Sequence, residues 1–443
     1  MGDKKMNICS KNDIKALAGI MAASVLLGGC SITAPVSGTQ APGNSLINDP
    51  SIKAEINFKD VKDAGYDSGL MDQEYRRYCF NIFSQTVKDY GGDSNVMISP
   101  ASLMMALDMV AAGAKGDSLK QLTDLFATGQ APLTQQAYAA DLMDKINSAK
   151  DVDFTCANAV WNNGALLGDE VNLDYVNYVQ ETFLAEYVVT DFDDKTPEEI
   201  NKWVDEHTDH MIEKIIDRLE PLTVMVLVNA ISFEGKWEES YDEDHITEGS
   251  FNAANGEAQT VTFLNDSTSA YYETGLATGF IKRYEGGQYA FLAILPADES
   301  VSANEFAANF TAADYEEFIN SISYDYDVYS KMPEFKSDFD FKMNETLKNL
   351  GVTDVFDETK ADLSGIAGVP GILYVSRVLH KTHIEVDREG TKAAAATAVT
   401  IRTKGVIETA KETRQVICDR PFVYAIVDTD TMAPVFIGTV NEV

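Results

Sequence analysis

Between Pro221 and Gly235 the chain carries V-M-V-L-V-N-A-I-S-F, Val224 to Phe233, a near-continuous apolar run without a charge. Such a run suits a central strand buried on both faces, which requires a sheet covered above and below. With 443 residues, 45% of them hydrophobic and 24% charged, the chain has the material to bury one large core or two ordinary ones. Neither a repeat period nor an interior linker divides it. A single mixed α+β domain from about Asp60 onward is therefore the simplest organisation.

Local patterns fill in that domain. Apolar residues at helical spacing from Tyr75 to Tyr90, closed by Gly91-Gly92, predict an amphipathic helix. From Asn95 to Ser118 the pattern predicts a short strand, then a helix capped by Ser99 with Pro100 in its first turn, then a stop at Gly113-Ala114-Lys115-Gly116. Asp153–Trp161 reads as a strand, Leu173–Phe183 as a helix and Pro197–Leu219 as helical segments. Further β-rich segments fall at Tyr271–Tyr272, Gly279–Arg283, Tyr289–Leu295 and Met332–Phe341, and Met343–Leu350 is again helical. Pro421–Val427 and Ala433–Gly438, joined by Asp428-Thr429-Asp430-Thr431, predict a hairpin of buried strands.

The N-terminus has a different character. Lys4, Lys5, Lys11 and Lys15 precede the apolar run Ala16–Leu27, which ends in Leu27-Gly28-Gly29-Cys30. This is the pattern of a secretion signal over residues 1–29, and the run is too short for a membrane span. Small residues directly before a cysteine resemble the bacterial lipobox, which implies lipidation of Cys30 and an anchored protein on the extracellular face of a membrane. An ordinary signal peptide cleaved near a cysteine is the alternative. Residues 30–60 then form a flexible tether, and 61–443 the folded domain. Loss of residues 1–29 removes four Lys and two Asp and takes the net charge from −35 to −37. That balance argues against nucleic acid and anionic membrane surfaces as partners, leaving the lipid anchor as the contact with membrane.

No catalytic signature is present: no G-x-S-x-G, no H-E-x-x-H and no phosphate-binding glycine loop before a helix. An enzyme is not expected, nor any cofactor or metal. His207 and His210 could share a helix face, but the acids around them are ordinary surface composition. His380 and His383 fall on opposite faces of a strand. Cys79, Cys156 and Cys418, which remain after the signal, have neither disulfide-framework nor metal-site spacing and read as buried small hydrophobes.

Near the C-terminus, Arg388–Gly405 reads R-E-G-T-K-A-A-A-A-T-A-V-T-I-R-T-K-G. At period two, Thr391, Ala393, Ala395, Thr397, Val399, Ile401 and Thr403 form one small or β-branched set, against Lys392, Thr400, Arg402 and Lys404 on the other. The pattern suits a half-buried strand, or, read alone, an exposed linker.

Several motifs occur in a fixed order: N-V-M-I-S-P-A-S-L at Asn95–Leu103, G-A-K-G at Gly113–Gly116, L-V-N-A-I-S-F-E-G-K-W at Leu227–Trp237 and A-D-L-S-G-I at Ala361–Ile366. H-K-T-H-I-E-V-D-R-E-G-T-K-A-A-A-A from His380, D-R-P-F-V-Y-A-I at Asp419–Ile426 and P-V-F-I-G at Pro434–Gly438 follow. Together, from about Leu70 to the C-terminus, they resemble the serpin family of serine protease inhibitors. The resemblance implies an α+β serpin fold of three β-sheets with eight or nine helices and an exposed reactive-centre loop. It implies a monomer that serves as a suicide substrate for serine proteases. The protease cleaves the loop, forms a covalent acyl complex, and is trapped when the loop inserts as a strand.

Residue by residue, the resemblance makes Gly390, Thr391, Ala393, Ala394, Ala395 and Ala396 the loop hinge, and Ser99, Ser102, Asn229 and His380 a polar latch on the central strands. Small residues and the lack of Pro from Arg388 to Arg420 suit rapid insertion. Where relatives commonly have an acid before the hinge and a Lys after the Met-Pro of a neighbouring strand, this chain has Arg388 and Glu334, an inverted pair at the mouth of the loop. Counting from Gly390 as the family does places the scissile bond at Lys404–Gly405, which favours trypsin-like targets. Because Gly390–Pro421 is longer than is usual in the family, Val406 or Ile407, with elastase-like, subtilisin-like or cysteine proteases, and Arg402 are alternatives; Ile401 and Thr403 complete the specificity segment. A non-inhibitory surface binding protein of the same fold is the rival reading.

Overall fold

The computed structural model describes residues 58–61, 64–167, 171–208, 210–220, 223–268, 270–368, 373–391 and 411–443. Cys30, Ala393–Ala396 and the segment Ile401, Arg402, Thr403, Lys404, Gly405, Val406 and Ile407 lie outside the described residues. The described residues pack as one compact unit.

Three sheets organise it. The large sheet contains β2 (Val152–Asn163), β3 (Glu186–Thr190), β4 (Met225–Lys236), β11 (Phe335–Lys342), β12 (Val378–Val386) and the two-residue β13 (Gly390–Thr391), in the order β11-β12-β13-β4-β2-β3. A second has the order β1-β16-β15-β9-β8-β7, from β1 (Val96–Ile98), β7 (Tyr271–Glu273), β8 (Ala277–Arg283), β9 (Tyr289–Pro296), β15 (Phe422–Asp428) and β16 (Pro434–Val440). A third joins β14 (Glu412–Ile417), β10 (Tyr326–Pro333), β6 (Ala258–Thr268) and β5 (Ile246–Asn252).

Eight helices of at least seven residues surround them among the described residues: α1 (Ser68–Tyr90), α2 (Pro100–Gly113), α3 (Gly116–Phe126), α4 (Pro132–Asn147), α5 (Leu173–Phe183), α6 (Thr196–His207), α7 (Ala303–Asn309) and α8 (Ala312–Asn320). The apolar run becomes β4, buried along its length from Met225 to Phe233 because α2 and α6 cover its two faces. Ser99 caps α2 through its hydroxyl oxygen, which accepts from Ser102 N–H, with Pro100 in the first turn.

Two elements differ from the sequence expectation. Of the helical segments predicted over Pro197–Leu219, only the first forms a helix, which ends at His207. His210 adopts a left-handed φ of 62°, and the following chain is irregular, with bends, so that Ile212, Ile215 and Ile216 can all reach the sheet. The side chain of Asn201 replaces helical bonding there, its carbonyl oxygen accepting from the N–H groups of Ile215 and Ile216. The β-rich segment Met332–Phe341 is two strands in two sheets, divided at Glu334, whose N–H donates to Thr262 O across 2.8 Å.

One buried acid ties three helices together. Asp108 of α2, fully buried, accepts from the amides of Gln135 (2.6 Å) and Gln136 (2.9 Å) of α4, and Gln136 in turn accepts from Tyr178 OH of α5. Burial raises the Asp108 carboxyl well above its ordinary range, against the opposing effect of the two amide donors. A raised native value means that this stabilisation is complete below the unfolded carboxyl value and is lost as pH rises through the native one. Asp108→Asn, neutral at every pH, is therefore expected to flatten the fall of melting temperature as pH rises above about 4, the unfolded carboxyl value. Parallel thermal melts of both proteins check this, and identical slopes would refute it.

Candidate functional site

The large sheet contains a closed gap. β4 and β12 pair directly and in parallel over Leu227–Ile231 and Val378–Thr382. Beyond Thr382 they diverge, and β13 sits between them: Thr391 lies opposite both Val386 and Gly235, and Gly390 opposite Lys236. β13 is antiparallel to both neighbours. Gly390 and Thr391 thus form a two-residue strand between β4 and β12.

Local chemistry fixes this placement. Asp387 and Gly390 hold the first and last positions of a tight turn, with the Asp387 carboxylate accepting from the N–H groups of Glu389 (2.7 Å) and Gly390 (3.1 Å). Trp237 Nε1–H donates to Asp387 O and its backbone N–H to Glu389 O. A Cβ on Gly390 would stand 2.1 Å from Gly235 O, so only glycine allows this approach. Thr391 is 0% exposed, its hydroxyl 2.6 Å from Tyr284 OH, whose ring stacks on Trp237. The D-x-x-G spacing could have revealed Asp387; nothing local points to Tyr284, which arrives from the second sheet's end.

Where β4 and β12 touch, four residues selected by resemblance converge. His380 and Asn229 are register partners. Ser99 N–H donates to His380 Nε2 (3.0 Å) and Ser99 OH to Val435 O (2.8 Å), while Ser102 OH donates to the Asn229 side-chain oxygen. Asn229 Nδ2 donates to Asn158 Oδ1 (2.6 Å), and Asn158 Nδ2 to Phe183 O (2.8 Å), extending the network to β2 and α5. Asn158 was missed because a lone Asn within a strand carries no sequence signal.

His380 is 0% exposed and burial pushes its imidazole down to about 3. Since Nε2 accepts, the proton sits on Nδ1, which meets no hydrogen-bond partner among the described residues. A buried donor left this way costs about 1–3 kcal/mol.

At the mouth of the gap, Arg388 Nε lies 3.8 Å from Glu334 and its Nη1 3.9 Å from the exposed Glu243. The inverted pair expected from the sequence is in contact, and Arg388 shares itself between two acids. Burial raises the Glu334 carboxyl above its ordinary range, and the Arg388 charge acts against that rise.

The other candidates are structural. His207 stacks on Trp203 and His210 bonds Asp205, each with its own partner. His383 faces Asp338 at 2.7 Å, on the opposite side of β12 from His380. Among the described residues no group of three His, Cys, Asp or Glu side chains could hold a metal. Cys79 and Cys418 are buried free thiols, and the Cys156 side chain is outside the described set.

A family model for serpins (serine protease inhibitors) matches residues 73–443, so the chain belongs to the serpin family. Iripin-5 of Ixodes ricinus is 34% identical over 365 residues, covering 79% of this chain and 89% of that protein. The native-state crystal structure of the thermophilic serpin tengpin superposes with a TM-score of 0.77 at 33% identity, covering 86% of this chain and 96% of that one. The latent-state structure of tengpin gives 0.71 at 31% identity, covering 85% and 96%.

His380→Ala is expected to leave Ser99 N–H buried without an acceptor and to destabilise the protein by about 2–4 kcal/mol. Wild-type stability should also fall as pH drops from about 6.5 towards about 3, because the unfolded histidine takes up a proton that the native one refuses. Urea unfolding across that range checks both statements. An acid slope that survives the substitution unchanged would contradict them.

Proposed function

We propose that this serpin is a suicide-substrate inhibitor of serine endopeptidases, trypsin-like ones first, in which a protease cleaves at Lys404–Gly405 in the loop that follows Thr391 and is trapped as its acyl-enzyme while the loop enters between β4 and β12. The observation that carries this reading is the seating of Gly390 and Thr391 as the start of a strand in that gap. Continuing β13 would replace one parallel ladder by two antiparallel ones, which are somewhat more stable per residue and twice as many. Insertion therefore has a thermodynamic direction. The acyl-enzyme must wait long enough for it, which is why small hinge side chains matter.

In this reading Ser99, Ser102, Asn229 and His380 form the latch, Ala393–Ala396 continue the hinge, and Lys404–Gly405 is the bond cleaved. Residues 1–29 act as a lipoprotein signal, Cys30 is the lipid attachment point, and residues 30–60 tether the domain outside a bacterial membrane. Nothing in the function calls for a metal, a cofactor or nucleic acid, and one chain suffices.

Incubation with trypsin is expected to give a complex stable in denaturing gels, and the mass of the peptide released from it identifies the scissile bond. Release after Lys404 supports the assignment, whereas release after Val406 or Ile407 moves the target to elastase-like or subtilisin-like enzymes. Degradation without any complex with each enzyme would end the inhibitor reading in favour of a binding role. Thr391→Arg places a charge at a fully buried position and should convert the protein from inhibitor to substrate.

For the Arg388–Glu334 pair, each single charge reversal should lower the fraction of protease trapped and the double reversal should restore it. Additive losses would exclude a coupled pair.

A further inference from the structure

The gap between β4 and β12 is covered on a second side. His380 and Thr382 point towards β1 and the start of α2, whereas Leu379 and Lys381 face the other way. On that other face Trp203 of α6 and Ile212 and Ile215 of the strap at 210–220 pack with Val228 and Leu379, which are register partners on either side of the gap. The strap is tied to the β12 side: Lys381 Nζ donates to Lys214 O (2.6 Å), and Arg377 bonds Arg218 O (3.2 Å) and Glu220 (2.5 Å). With α6 and the strap in place, one apolar cluster spans both strands, and they cannot part without breaking it.

The C-terminal end of α6 is held by one acid. Glu186, on the edge strand β3, accepts from Trp203 Nε1–H through one oxygen (2.8 Å) and faces His207 Nε2 through the other (3.4 Å). The His207 ring stacks on Trp203, centroids 4.2 Å apart, and its Nδ1 lies 2.7 Å from Trp203 O. A carbonyl and a carboxylate can only accept. Both ring nitrogens therefore face acceptors, and only the doubly protonated imidazolium satisfies both.

We propose that His207 is a pH-sensitive clamp: its imidazolium ties α6 to β3 through Glu186 and holds the strap over the β4–β12 gap, and its neutral form releases them. The surrounding charges are few. Glu206 on the same helix adds to the field on His207 and pairs with Lys202 at 3.7 Å. β2, packed against α6, has no ionisable side chain from Asn158 to Asn163, and β3 adds Tyr187, bonded to Asn162. On the strap and the turn before it, His210 is bound to Asp205 and Lys214 to Asp217. Burial lowers the His207 value, but the bonds to Glu186 and the Trp203 carbonyl outweigh it and the net direction is upward, with Glu186 held down chiefly by its bond to His207. Clamping is thus complete below about pH 6.5 and is lost as pH rises through the native value.

Hydrogen exchange on the full chain, corrected for intrinsic pH dependence, tests the clamp at about pH 5.5 and about pH 8.5, with His207→Gln, Glu186→Gln and, as a control, His210→Gln. Protection of residues 200–216 should fall about ten-fold between the two pH values in wild type and in His210→Gln, and be low and flat in the other two. Flat protection in wild type, or a slope that survives His207→Gln, would overturn the proposal. Should that variant fail to fold, an NMR titration of the five histidines decides, with a His207 value below about 6.5 counting against it. That release of the clamp speeds loop insertion rests on the inhibitor reading. If protection varies with pH as stated but loop cleavage never raises heat stability, the insertion reading fails and the clamp stands.

Discussion

Five residues of β12 lie in direct parallel register with five of β4, and this short ladder closes the sheet where β13 ends. Its neighbours show how finely it is balanced. Above it the strands have already parted around Gly390 and Thr391. On one face the Ser99–His380 and Ser102–Asn229 bonds cross it, and on the other the apolar cluster under α6 and the strap bridges it. A parallel ladder of this length contributes modestly. What keeps the sheet shut is chiefly the packing on its two faces.

That arrangement reconciles stability with a built-in capacity to change. The Ser99–His380 and Ser102–Asn229 bonds are buried, where a broken partner is expensive, so parting β4 from β12 is penalised strongly. At the other end of the gap Thr391 is fully buried with a hydroxyl partner, and the Asp387 turn places Gly390 and Thr391 between the two strands. The Arg388 contacts with Glu334 and Glu243, long and partly exposed, contribute at most about 1 kcal/mol and serve orientation more than stability.

Much of this was legible from residues alone. β4 announced itself by apolar continuity, α1, α2 and α5 by periodicity and caps, and the closing hairpin by its turn. The meeting of Ser99, Ser102, Asn229 and His380 was legible only through family resemblance, because Ser99, Asn229 and His380 are far apart in sequence and none is unusual where it stands. The strap was misread as helix: Ile212, Ile215 and Ile216 have helical spacing, and only the left-handed His210 and the demand of the sheet for three buried isoleucines override it. Asn158, Tyr284 and Glu186 matter through what they meet across the fold, and tertiary meetings of that kind leave no local pattern.

The central claim is that β4 and β12 separate to admit a strand. Spin labels at Val189 on β3 and Lys342 on β11, exposed positions on either side of the closed β4–β12 ladder, measure this directly before and after cleavage of the loop. The separation should lengthen by about one strand spacing, about 4.8 Å, throughout the cleaved population. An unchanged distance in fully cleaved protein would contradict the account.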